Sequence, residues 1–179
     1  MACSSITAIT RICGSTNKPG VEKVWMVAYK DLYAISGTDT YTVGTSSYLV
    51  TSIGLTGSTK FVPIGVLKDS AGFDTAGTLD PTKGTNNVVN TIVLKLSGLS
   101  VENRNFVSAL TFNPVAILFK GRSGNYYVVG LSGLNELASF TATTGKTSAD
   151  DLGYTLTLTE AGDIPYQVDP TLITSIVSA

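Results

Sequence analysis

The sequence predicts a mainly β fold, one domain with a single helix and an arm at either end. Strand periodicity, composition and one well-capped helix signal carry that expectation. From Val115 to Val168, four strand-like runs are packed between short Gly, Ser and Asp turns. Val115–Lys120 and Tyr126–Leu131 flank Gly121-Arg122-Ser123-Gly124-Asn125, a glycine-containing loop of hairpin length. Leu137–Thr143 and Tyr154–Thr159 lie either side of GKTSADDLG, and Tyr154–Thr159 alternates large apolar residues with threonine. A period of two gives a sheet with one buried and one wet face. Only 14% of residues are charged and 43% are hydrophobic, against roughly 25% charged in ordinary soluble domains. Thr and Ser make up roughly a quarter of the chain, and threonine suits pleated, half-buried surfaces.

The elements follow in order. Met1–Gly20 is a Ser/Thr-rich arm that ends in the turn signal Asn17-Lys18-Pro19-Gly20. Val21–Leu32 reads as a core strand with Val24, Met26 and Ala28 on one face and Trp25, Val27 and Tyr29 on the other. Two apolar faces predict a central or sandwiched strand. Tyr41–Val43 and Tyr48–Ile53 are short strands, and Lys60–Leu67 is another that Pro63 pushes to a sheet edge or a bulge. Residues 68–86 show no periodicity and predict a long loop, with Phe73 and Leu79 as its only large apolar side chains. Asn87–Leu96 is a long strand.

The helix spans 101–111. Ser100 is a good N-cap, Glu102 sits where the helix dipole favours it, and Val101, Phe106, Val107 and Leu110 form an apolar stripe. It must stop before Pro114. The domain runs over 21–165, and 166–179, apolar and β-branched after Pro170, is a last strand or an arm that docks on a neighbour.

Composition also narrows function. A chain of 179 residues can bury a real core. The sequence has no histidine, which removes the commonest general base and metal ligand. The net charge of −1 leaves no general basic surface for a phosphate backbone. Cys3 and Cys13 make no disulfide framework and read as reduced thiols of a protein assembled in a cytosol, although a bridge between them is conceivable. No run approaches the roughly 18 apolar residues of a membrane span, and the start lacks the pattern of a signal peptide.

Candidate motifs are weak. Asp150 and Asp151 are adjacent and read as turn caps. Asp69, Asp74 and Asp80 lack the spacing of a calcium loop. Gly145-Lys146-Thr147 lacks the first glycine of a phosphate loop, since position 140 is Phe140. Trp25 and the tyrosines, Tyr41, Tyr126, Tyr154 and Tyr166 among them, are scattered singly and read as packing residues before a ligand groove. Neither a catalytic residue, a metal nor a cofactor is expected.

Taken in order, MAC, GVEKVWMVAYKDL, SGLSVENRNFVSAL, VAILFKGRSGNYYVVGL and TGKTSADDLGYTLTLTEAGDIPY resemble a family of small structural proteins from tailed phages of Bacteroidetes, the crAss-like phages and their relatives. The likeness covers about two thirds of the chain and does not extend to 41–56 or 68–86. It implies a tail-tube-type fold: a β-sandwich or half-barrel with one flanking helix and extended N- and C-terminal arms, packed into rings. The expected function is a non-enzymatic virion structural protein, a tail or tail-tube-like subunit that forms a cyclic homo-oligomer. Its partners would be further copies in stacked rings and other virion proteins, with DNA only as a non-specific passenger through the channel and no membrane.

The candidate oligomer contacts are Phe73, Leu79 and Asp80 of the loop and Leu172, Ile173 and Ile176 of the C-terminal segment. Changing Phe73 and Leu79 to Ser is then expected to leave a soluble fold that stacks poorly. The alternative is a receptor- or glycan-binding β domain of a virion or cell surface.

Overall fold

The computed structural model describes residues 19–178 except 46, 48, 68, 81, 83–84, 134, 147–151 and 163. Cys3, Cys13, Asp150, Asp151 and nearly all of the N-terminal arm lie outside the described residues. The strands are β1 (Val21–Ala28), β2 (Tyr41–Val43), β3 (Val50–Ile53), β4 (Val62–Ile64), β5 (Gly72–Asp80), β6 (Thr85–Ser97), β7 (Val115–Gly121), β8 (Tyr126–Val129), β9 (Asn135–Thr143), β10 (Gly153–Gly162) and β11 (Tyr166–Val168). The helices are α1 (Val101–Leu110) and α2 (Pro170–Ile176), with a 3₁₀ turn at Tyr29–Asp31. They form a seven-stranded sheet in the order β2-β3-β11-β8-β7-β1-β4 and a four-stranded sheet in the order β5-β6-β10-β9.

Alternation along β1 and β7 explains why the larger sheet is covered on both sides. Val24 and Met26 of β1, with Val115, Ile117 and Phe119 of β7, face Ile92, Leu94, Leu96, Leu156 and Leu158 of the smaller sheet. That is the core of a β-sandwich. The opposite parity, Trp25 and Val27 with Ala116 and Leu118, packs in a second cluster with Val50, Phe61, Val128, Val168, Ile173 and Ile176. Residues from β3 near one end of the sheet and Phe61 at the other thus meet α2 in one cluster. The sheet therefore curls over that helix. Of the apolar residues expected on both faces of β1, Val24 and Met26 go to one core and Trp25 and Val27 to the other, while the strand ends at Ala28, before Tyr29.

The capping signals for α1 hold. The Ser100 side chain accepts from the Asn103 N–H at 3.2 Å, and Val107 and Leu110 are buried. Ser100→Ala is expected to cost about 1 kcal/mol, read from the midpoint of urea unfolding. Pro63 also sits where its missing N–H is tolerated, in the terminal strand β4.

Three expectations are corrected. Residues 68–86 are not one long loop, because β5 runs through them and pairs antiparallel with β6 from Gly72↔Val93 to Asp80↔Thr85. Its pairing and the packing of the partly buried Phe73 against the core make it a strand, where its own Gly- and Asp-rich composition argued against one. Of the two alternatives for 166–179, a last strand or an arm, the segment supplies the strand, and a helix besides. Among its residues, β11 is an interior strand between β3 and β8, and α2 docks on the chain's own core. The fold consequently has two helices where one was expected, and the domain continues beyond 165. Asp169 caps α2, accepting from the Thr171 N–H at 2.9 Å and the Thr171 hydroxyl at 2.7 Å, with Pro170 in the first turn. Those hydrogen bonds hold its carboxyl below the usual range.

Candidate functional site

The polar side chains that the fold brings together form one row across the smaller sheet. In the register of its ladders Thr75 lies beside Asn90, Asn90 beside Glu160, and Glu160 beside Asn135. Two residues along each strand, or nearly so past the bulge in β9, the neighbouring row is apolar: Phe73, Ile92, Leu158 and Leu137. The polar row thus has the same inward parity as the core. Asn90 is 1% exposed, Asn135 0% and Glu160 6%.

Burial on that scale requires hydrogen-bond partners. The Thr75 hydroxyl donates to Asn90 Oδ1 at 2.9 Å, and Asn90 Nδ2 donates to Glu160 Oε2 at 3.2 Å. Glu160 Oε1 accepts from the Gly130 N–H and from the Ser132 hydroxyl, both at 3.0 Å. Asn135 Nδ2 donates to the Val115 carbonyl at 3.1 Å, and Asn135 Oδ1 has no partner among the described residues.

Location gives these bonds their structural meaning. After β8 the chain crosses from the larger sheet to β9 in the smaller, and after β10 it returns to β11 in the larger. Glu160, near the end of β10, is thereby tied to the first of these crossovers at Gly130 and Ser132. Gly130 permits the close approach: its φ is +83°, and a Cβ there would collide with the Val115 carbonyl oxygen. Glu160→Gln leaves one acceptor where two received three donors. It is expected to cost about 1–3 kcal/mol in urea unfolding.

Beside Glu160 lies a cavity of about 400 Å³ lined by Tyr41, Gly130, Ser132, Glu160, Pro165 and Tyr166 among others. The Tyr41 and Tyr166 rings stand 5.1 Å apart and tilted by 49°. Ser132 and Glu160 make a hydroxyl–carboxylate contact in this lining. A lone carboxylate is a weak base for a serine hydroxyl, and the groups that orient Glu160, the Asn90 amide and the Gly130 N–H, are neutral donors. The arrangement suits binding and bracing. No group of three or more His, Cys, Asp or Glu side chains comes together among the described residues, where Asp69 instead pairs with Arg122. Nor is any described helix long and apolar enough to cross a membrane.

The outer face of the smaller sheet is a second feature. By alternation it carries Thr91 on β6, Thr155, Thr157 and Thr159 on β10, and Thr141 and Thr143 on β9. Among its described side chains the charges are Asp74, Lys95 and Glu136. Both terminal strands, β5 and β9, are nine residues long, and β9 is exposed from Ala138 to Thr143. No described strand pairs with their outer sides.

The predicted contact residues are not gathered into one surface. Phe73 packs on its own core, its ring 4.7 Å from that of Phe119. Ile173 and Ile176 are buried in the second core, and Leu172 packs against it. These apolar side chains are occupied within the chain, which corrects their reading as free partner contacts. Changing Phe73 to Ser would consequently damage the sandwich and would not isolate stacking. For Leu79 and Asp80 the structure gives the backbone, paired with Asn86 and Thr85 near the hairpin end.

The Glu160 row escaped sequence reading because its members are 15 to 70 residues apart in the hydrogen-bonded pairs. Its one local signal is a glutamate falling in the apolar phase of TLTLTEAG. Comparison with protein-family models, with curated proteins and with solved structures gives no significant match.

Proposed function

We propose that this chain is a non-enzymatic virion structural protein of a tailed phage, a tail or tail-tube-like subunit that closes into rings around a DNA channel. The observation that carries this reading is the pair of open nine-residue edges on the four-stranded sheet. A long edge without proline or lysine is a template for further pairing, and β9 has neither. Pairing of β5 in one copy with β9 in the next is a head-to-tail contact that repeats until the ring closes.

Closure fixes which face lies inside. The larger sheet already covers one face of the smaller, so the ring turns the threonine face towards the lumen. Six copies would supply about 24 strands, and at ~4.8 Å between strands such a barrel is about 37 Å across before tilt widens it. A face of threonines and valines with few cations passes a phosphate backbone without holding it.

Thr141→Lys with Thr143→Lys tests the edge, since both residues are exposed. The double variant is expected to keep the wild-type circular dichroism spectrum and to sediment as a monomer at concentrations where the wild type assembles. Assembly equal to wild type would refute edge pairing.

A further inference from the structure

We propose that the cavity over Glu160 is a binding site for a primary ammonium or guanidinium group on an aliphatic stem, of which a lysine side chain is the protein-borne form. Glu160 is 6% exposed and takes three hydrogen bonds, all from neutral donors. None of the ion pairs among the described residues involves it. A buried carboxylate that is hydrogen-bonded but lacks a counter-charge gains most from a cation that reaches it without bringing in bulk water. The Asn135 Oδ1 atom in the same row, without a partner among the described residues, adds to an environment rich in acceptors.

The walls fit the rest of such a ligand. Tyr41 and Tyr166 both line the cavity, their rings in contact with centroids 5.1 Å apart and tilted by 49°. Aromatic faces attract ammonium and guanidinium groups, the more so where water is displaced. Val128, Ile164 and Pro165 supply apolar lining for a stem, and Ile164 is 68% exposed. The volume of about 400 Å³ lies within the range of small-ligand sites and exceeds what a four-carbon amine needs. Anions and neutral sugars are poorly served, because the buried charge repels the first and the donor groups beside it are already engaged for the second.

Calorimetric titration of the full chain at neutral pH tests the site, with n-butylammonium chloride, n-butanol and N-acetyl-lysine methylamide as probes. The expected result is saturable binding of n-butylammonium about tenfold or more tighter than n-butanol. Binding of the lysine derivative with similar strength assigns the site to a protein-borne side chain. Binding of the amine alone assigns it to a free alkylamine. Glu160→Gln should weaken ammonium binding about tenfold. Tyr166→Leu leaves the Glu160 hydrogen bonds in place and should weaken it several-fold, so the test survives if the glutamine variant folds poorly. Equal heats for amine and alcohol, or amine binding unchanged in Tyr166→Leu, would overturn the proposal. The titration reads the cavity whether or not copies associate, so failure here is distinct from failure of ring assembly.

Discussion

Phe61→Ala is expected to destabilise the fold by about 3–5 kcal/mol, read as a lower urea midpoint at unchanged slope. Phe61 is 0% exposed and stands just before β4, where it joins the second core. Its backbone is fixed on both sides. The Phe61 N–H donates to the Ile176 carbonyl at 2.8 Å, and the Phe61 carbonyl accepts from the Ser178 N–H at 2.9 Å and the Ser178 hydroxyl at 3.0 Å. The ring therefore cannot be replaced by a modest shift of the chain. Removing it leaves a cavity in the cluster that also holds Trp25 and Leu118 of the sheet and Ile173 and Ile176 of the helix. A loss below about 1 kcal/mol would mean that α2 does not close this core.

The second large effect is expected at Gly153, the first residue of β10, where its partner in β6 is Ser97. Its φ is +146°, and a Cβ would run into the Leu96 carbonyl oxygen and lie 3.0 Å from the Gly98 nitrogen. Both are backbone atoms at the end of the neighbouring strand β6, so neither can swing aside. Gly153→Ala should cost about 2–4 kcal/mol through backbone strain and a displaced ladder. Gly72→Ala is the matched control: it begins β5, and a Cβ there meets nothing within 4 Å. That substitution should be neutral or stabilise by about 0.4–1 kcal/mol. Equal losses at the two positions would show that the Gly153 conformation is not required.

These two sites also mark where sequence reading succeeds and where it stops. Strict alternation in Tyr154–Thr159 gave the core strand of the smaller sheet, and the two apolar faces of Val21–Leu32 gave a strand between two cores. The cap at Ser100 and the proline at 63 were local signals with local consequences, and both are legible. β5 was not, because GFDTAGTLD has weak strand propensity and is organised by its ladder with β6. α2 was missed because the β-branched run TLITSIV outweighed Asp169-Pro170, a cap followed by proline that marks a helix start.

The contact residues show the same limit in another form. An isolated Phe73 in a polar segment looked destined for a partner, yet tertiary pairing turned it onto Phe119. Glu160 depends on register: a shift of one residue between β10 and β6 would move it from the interior to the outer face. Such information is distributed over several strands and is not contained in any one of them.

The proposed ring stands on the two open edges of the four-stranded sheet, and its most direct test is negative-stain electron microscopy of the purified chain over a concentration series. Rings or short tubes with a central hole, growing in number with concentration, are the predicted result. A persistent monomer at every concentration would contradict self-assembly through β5 and β9 and favour a surface-binding β domain.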